Sequence, residues 1–271
     1  MTSPQFMSQR VSLSTVRDMT SRGEKITMLT AYDATFAALL DQSGVDVILV
    51  GDSLGNVIQG RSTTLPVTVG DMAYHTACVA RGASNKLIVV DMPALSYNTG
   101  SQAADNARQL LAAGGQMVKL EGAGPVVEII EFLTERGVAV CGHLGLTPQS
   151  VHKLGGFKVQ GRQTDAAEQL LADAVAIERA GADMLILECV PTALGQSVSN
   201  ELSIPVVGIG AGPHCDGQVL VLYDALGLGS GHSARFVRNF CADGLDVRSG
   251  IEGFVAAVRD GSYPAKEHCY E

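Results

Sequence analysis

Eight short apolar runs, each closed by glycine, proline or an acid and each followed by helical periodicity, set the strongest limit on how this chain can fold. They are KITMLTAYD (25–33), VDVILVGDS (45–53), KLIVVDMP (86–93), MVKLEG (117–122), VAVCGHLG (138–145), MLILECV (184–190), PVVGIGAG (205–212) and QVLVLYD (218–224). Most are apolar throughout rather than alternating, the pattern of strands covered on both faces. Between them lie TFAALLDQSG (35–44), SQAADNARQLLAAGG (101–115), PVVEIIEFLTERG (125–137) and DAAEQLLADAVAIERAGA (165–182), several ending in the glycine that stops a helix. Strict βα alternation specifies a parallel sheet, and eight units in a chain of 271 residues favour a closed (β/α)₈ TIM barrel over an open doubly wound sheet. QVLVLYD also reads as the continuation of a helix beginning near Asp216. The expected organisation is an N-terminal extension or helix over 1–25 and one barrel domain over 26–271. That domain includes two C-terminal helices, HSARFVRNFCADG and VRSGIEGFVAAVRDG, within about 233–260.

Aromatic residues are only 5% of the chain and Trp is absent, so Ala, Val, Leu and Ile must fill the interior. A formal charge of −9 argues against a nucleic-acid backbone as partner and directs attention to small molecules. Six cysteines without a Cys-x-x-Cys pair signal neither a zinc site nor a disulfide framework. They fit a reducing cytoplasm. No apolar run reaches the roughly 20 residues of a membrane helix. The start lacks the apolar core of a signal peptide, although its basic, Ser/Thr-rich character leaves an organellar address open.

Two connections, 55–70 and 144–162, exceed the usual few residues, and both follow strand C-termini, the catalytic face of such barrels. The second carries His152, Lys153, Lys158 and Arg162, a basic excess in an acidic protein. It reads either as a lid that attracts an anionic substrate or as a solvated loop.

The chemistry gathers at the same face, because Asp52, Asp91, Glu121 and Glu188 each close an apolar run. One such acid is ordinarily a cap for the next helix or turn. Four of them converging on one mouth would repel by roughly 4 kcal/mol per pair at 4 Å, with an effective dielectric near 20, unless protonated or neutralised. Asp52, Asp91 and Glu121 are therefore the expected metal acids, and all-oxygen donors suit Mg²⁺ or another hard divalent cation better than Zn²⁺. Lys119 and Glu121 are two apart on one strand, so they share a face and point inward together, either with Lys119 binding a substrate carboxylate or oxyanion beside a metal acid or as a structural ion pair. His143 closes the fifth run and could meet a substrate carbonyl, with a structural histidine as the alternative. Ser53 could bind a ligand or cap a helix. GIGAG (208–212) reads as a phosphate cradle or as a tight turn.

A specific resemblance rests on TAYD (30–33), VGDSLG (50–55), LPVT (65–68), YHT (74–76), VKLEG (118–122), CGHLGLTPQSV (141–151), GGFKVQGR (155–162), LECVP (187–191), PVVGIGAG (205–212) and DGQ (216–218). Together they resemble the ketopantoate hydroxymethyltransferases, in order and across most of the chain. The resemblance implies a barrel of the phosphoenolpyruvate/pyruvate superfamily that acts in pantothenate biosynthesis, often as a decamer. It implies transfer of a one-carbon unit from 5,10-methylenetetrahydrofolate to 3-methyl-2-oxobutanoate, with Mg²⁺, giving 2-dehydropantoate. It carries the metal acids onto Asp52, Asp91 and Glu121, the ketoacid contacts onto Ser53 and Lys119, and the general base onto Glu188.

A C–C lyase of the isocitrate lyase type could share such a barrel and acidic site. Those enzymes carry a lid cysteine, which 144–162 lacks. A catalytically silent ligand-binding barrel would have no use for four clustered acids.

Overall fold

The computed structural model describes residues 10–229, 233–242 and 244–271. Helix α1 (Leu13–Ser21) precedes β1 (Ile26–Thr30), followed by α2 (Ala34–Gln42), β2 (Val47–Val50), the one-turn α3 (Leu54–Val57), α4 (Val69–Gly82), β3 (Leu87–Asp91) and α5 (Gly100–Ala112). Then come β4 (Met117–Glu121), α6 (Pro125–Thr134), β5 (Val140–Gly145), the one-turn α7 (Val151–Leu154), α8 (Thr164–Arg179) and β6 (Met184–Glu188). The chain finishes with α9 (Thr192–Glu201), β7 (Val206–Ile209), β8 (Gly217–Leu220), the one-turn α10 (Leu222–Ala225) and α11 (Val247–Arg259). All eight strands pair in sequence order, and β8 closes on β1 in parallel, giving the (β/α)₈ barrel.

The ambiguous QVLVLYD divides in two. Its first half is β8, paired with both β1 and β7, while Tyr223 and Asp224 belong to α10. The expectation that every strand is followed by a helix fails at β7, which reaches β8 through residues 210–216 without one. The glycines of GIGAG make that turn. Gly210 and Gly212 adopt φ +62° and +83°, and a Cβ would lie 2.8 Å from the Phe236 ring at the first and 2.7 Å from Thr192 at the second. Conformation and packing thus account for glycine at both positions, as the tight-turn reading requires.

Of the two expected C-terminal helices, VRSGIEGFVAAVRDG forms as α11, whose buried Ile251, Phe254 and Val258 pack it against β1 in the outer layer. HSARFVRNFCADG does not form a helix over its described residues, 233–242 and 244. Phe236 and Phe240 mimic a helical spacing, yet both are buried separately. The Tyr263 hydroxyl donates to the Phe236 carbonyl at 2.6 Å, and the Phe240 N–H donates to the Ala225 carbonyl at 2.8 Å. Tertiary partners thus take backbone groups that a helix would have used.

The end of the barrel opposite the acidic mouth follows one rule. An N–H from the first or second residue of each odd strand is accepted by the side chain that precedes the next even strand. Asp46 takes Thr27 N–H at 2.9 Å, Gln116 takes Ile88 at 3.0 Å, Asp183 takes Val140 at 3.0 Å and Asp216 takes Val206 at 2.8 Å. Helix α1 covers this end, burying Val16 and Met19 and pairing Arg17 with Asp183. Acids here are committed to backbone, which leaves chemistry to the other face. Among the described residues no helix is long and apolar enough to cross a membrane.

Candidate active site

Strand register brings the predicted residues together at the C-terminal mouth. Asp91 pairs with Lys119 across β3 and β4, Glu121 with His143 across β4 and β5, and Gly145 with Glu188 across β5 and β6. Lys119 and Glu121 point inward together, as their spacing of two requires. Asp52 follows β2 and is anchored through its own N–H, which donates to Asp91 Oδ2 at 2.9 Å. Asp52, Asp91, Lys119, Glu121 and His143 are buried, and they line a cavity of about 720 Å³ that Glu188 and Ser53 also face.

Lys119 Nζ lies 2.9 Å from Asp91 Oδ1 and 3.5 Å from Glu121 Oε1, so the structural ion pair foreseen for this strand is present and involves a third residue. Burial works against the ammonium, but Asp91, Glu121 and Asp52 outweigh it and hold its pKa above the usual lysine value. Burial, with the charges of Asp91 and Glu121, pushes Asp52 up to about 7. Asp91 is raised too, chiefly by burial, with Lys119 opposing. Glu121 is desolvated as well, yet Lys119 and His143 keep its pKa below the usual carboxylate range.

His143 bridges the two halves of the site. Its Nδ1 is 3.1 Å from Glu121 Oε1, and its Nε2 is 3.3 Å from Glu188 Oε2. Burial and the Lys119 charge disfavour the imidazolium, but the two carboxylates prevail and push its pKa up to about 9. This ring lies between Glu188 and Glu121. The Glu188 backbone is held firmly, because Cys189 adopts φ +49° while the Glu188 carbonyl accepts the Leu146 N–H at 2.8 Å.

Four carboxylates face two cationic side chains, Lys119 and His143, and the raised pKa values of Asp52 and Asp91 reflect this excess of negative charge, which either protons or one divalent cation would relieve. Among the described residues, Asp91 Oδ1 is buried with no hydrogen-bond partner despite its ion pair with Lys119, and one oxygen of Asp52 is occupied, by Gln149 Nε2 at 2.9 Å. These two acids have donor capacity to spare. Both oxygens of Glu121 are engaged, one by His143 and one by the Gln149 N–H at 3.0 Å. Accordingly, among the described residues no three His, Cys, Asp or Glu side chains converge on one ion position. The donor set fits a cation held by two acids and completed by substrate and water.

Ser53 begins α3 without capping it through its side chain, and its hydroxyl instead lies 2.8 Å from that of Tyr32. Of the four basic residues in the long loop, only Lys158 lines the cavity; His152, Lys153 and Arg162 face solvent. Sequence reasoning missed Gln149 and Tyr97. The Tyr97 hydroxyl accepts the Glu121 N–H at 3.3 Å and donates to Gln149 Oε1 at 2.6 Å. Gln149 lay within the quoted CGHLGLTPQSV block, but a neutral amide offers no charge by which to single it out.

The family model described as ketopantoate hydroxymethyltransferase matches residues 10–266. The chain belongs to the ketopantoate hydroxymethyltransferase family. Among its relatives in that family, the 3-methyl-2-oxobutanoate hydroxymethyltransferase of Aromatoleum aromaticum is 56% identical over 262 residues, covering 96% of this chain and 97% of the relative. The protein of the same name from Azoarcus sp. is 55% identical with the same coverage. Beyond the family, the crystal structure of phosphonopyruvate hydrolase in complex with oxalate and Mg²⁺ superposes with a TM-score of 0.62 at 14% identity, covering 94% of this chain and 98% of that one. The 2,3-dimethylmalate lyase structure gives 0.60 at 17% identity, covering 80% and 82%. At such identities these two likenesses speak for the barrel alone.

Proposed function

We propose that this family member transfers a hydroxymethyl group from 5,10-methylenetetrahydrofolate to 3-methyl-2-oxobutanoate, giving 2-dehydropantoate and tetrahydrofolate. The observation that carries the reading is Lys119 ion-paired with Asp91 and Glu121, with Asp52 and a separate carboxylate, Glu188, lining the same cavity. A divalent cation, Mg²⁺ by its donor set, would be held by Asp52 and Asp91, with Glu121 contributing through water. When bound it would act as a Lewis acid toward a 2-oxo acid.

Lys119 and Ser53 bind the ketoacid, and Lys119 places positive charge where the enolate oxygen develops its negative charge. Glu188 takes the C3 proton, a contribution of roughly 10²–10⁴-fold for a well-placed base. The C3–H electron pair becomes the enolate π bond, and C3 then attacks the methylene carbon as one of its two C–N bonds to the folate breaks. Water oxygen displaces the second folate nitrogen, completing the hydroxymethyl group, and the C3 proton and one proton of water pass to the two nitrogens of the departing tetrahydrofolate. His143 contacts Glu121 through Nδ1 and lies beside the Glu188 carboxylate through Nε2, where it favours the ionised form of the base. The same proposal includes pantothenate biosynthesis in the cytoplasm by a homo-oligomer.

Purified protein supplied with ketoacid, folate donor and Mg²⁺ should form 2-dehydropantoate, and should exchange the C3 proton of the ketoacid in D₂O without the folate. Turnover undiminished in EDTA would remove the cation from the reading. Failure to consume the ketoacid would remove the substrate. The isocitrate lyase type of C–C cleavage remains the alternative, against which stands the absence of cysteine from residues 144–162.

A further inference from the structure

We infer that Gln149 is a positioning residue that aligns Asp52 and Glu121 from the loop after β5, so that this loop and the cation site are assembled as one unit. The inference rests on the cation reading of Asp52 given above.

Gln149 commits both ends of its side-chain amide and its backbone N–H to the site. Its side-chain NH₂ donates to Asp52 Oδ2 and to the Met92 carbonyl, both at 2.9 Å, and its backbone N–H donates to Glu121 Oε2 at 3.0 Å. Its Oε1 accepts from Tyr97 at 2.6 Å. The amide orientation is fixed by its neighbours. The Tyr97 oxygen accepts the Glu121 N–H, and its single hydrogen goes to Gln149 Oε1 at 2.6 Å rather than to the Glu121 carbonyl at 3.4 Å, which turns the NH₂ toward Asp52. Met92 also demands a donor at that position.

A neutral donor suits the place. A carboxylate would add a further negative charge beside Asp52, whereas an ammonium would compete with the cation as a second Lys119. By occupying one Asp52 oxygen and one Glu121 oxygen, Gln149 leaves the other Asp52 oxygen toward the cavity. Outer groups of this kind typically account for 10- to 100-fold in metal affinity. Tyr97 acts one step further out by holding Gln149.

The test is Mn²⁺ binding, followed by the EPR signal of the free ion, in the full-length wild type, Gln149→Ala, Tyr97→Phe and the double variant. Gln149→Ala should weaken Mn²⁺ by about 10-fold or more, with Tm in EDTA nearly unchanged. Tyr97→Phe should weaken it less, and the double variant should be no worse than Gln149→Ala. In turnover, the Mg²⁺ activation constant should rise more than kcat at saturating Mg²⁺ falls. Equal Mn²⁺ affinity in wild type and Gln149→Ala, or additive effects of the two substitutions, would overturn the inference. No Mn²⁺ binding by the wild type would instead overturn the cation reading beneath it.

Discussion

His143 Nε2 lies 3.3 Å from Glu188 Oε2, so the carboxylate assigned as base rests against a ring whose other nitrogen contacts Glu121. This contact makes a direct prediction for Glu188→Gln. The amide keeps the shape of the side chain but cannot accept a proton to become a neutral acid. C3 deuterium exchange of the ketoacid should fall by roughly 10²–10⁴-fold, while ketoacid binding, measured by calorimetry with Mg²⁺ present, changes little. Unchanged exchange would exclude Glu188 as the base.

A pH signature follows from His143. Its folded pKa is raised to about 9 by Glu121 and Glu188, against burial and Lys119. The folded state therefore holds a proton that the unfolded chain releases near the ordinary histidine value. The stabilisation is fully present below about pH 6.5 and is lost as pH rises through about 9. Asp52, raised to about 7 chiefly by burial, also costs stability as pH rises through about 7, a window that closes below that of His143. Between about pH 7 and 9 the Tm of the protein in EDTA should fall, and His143→Gln should flatten that fall. An equally steep decline in the variant would show that His143 is not the titrating group.

The barrel was legible because its strands are buried on both faces and read as apolar runs, and because strand ends in such a barrel face one mouth. Asp52, Asp91, Lys119, Glu121, His143 and Glu188 all line the cavity for that reason. What the sequence could not convey was contact between distant segments. Phe236 and Phe240 keep a helical spacing although their partners are Tyr263 and Ala225. Gln149 acquires its role only when the loop after β5 folds back over β2 and β4. Asp46 and Asp52 flank the same strand, and only the fold distinguishes the one bound to Thr27 from the one that faces the cavity.

Gly145 offers a way to disturb Glu188 without touching its side chain. It adopts φ +89°, and a Cβ there would overlap the Glu188 carbonyl oxygen and crowd Val190. The same carbonyl accepts the Leu146 N–H, so the shift would pass along both strands. Gly145→Ala should lower kcat by more than about 10-fold, since displacing a base by as little as about 1 Å is costly. Near-UV circular dichroism and Mn²⁺ affinity should show a folded protein with its Asp52 side intact. Full activity would mean that the strand-end geometry of Glu188 is not critical.

Asp46 provides the complementary case at the closed end of the barrel. Its carboxylate accepts the Thr27 N–H at 2.9 Å and the Thr27 hydroxyl at 2.7 Å, and Arg259 reaches its other oxygen at 3.1 Å. Asp46→Ala strips two buried donors on β1 of their acceptor, at a cost of about 2 kcal/mol. For a chain of this size that corresponds to a Tm lowered by roughly 4–8 °C. Asp46→Asn keeps one carbonyl oxygen for Thr27 and should lose less. Because this carboxylate lies at the opposite end of its strand from Asp52, kcat and the Mg²⁺ requirement of the protein that remains folded should match the wild type. A loss of kcat larger than the loss of folded protein would show instead that the two ends of the barrel are coupled.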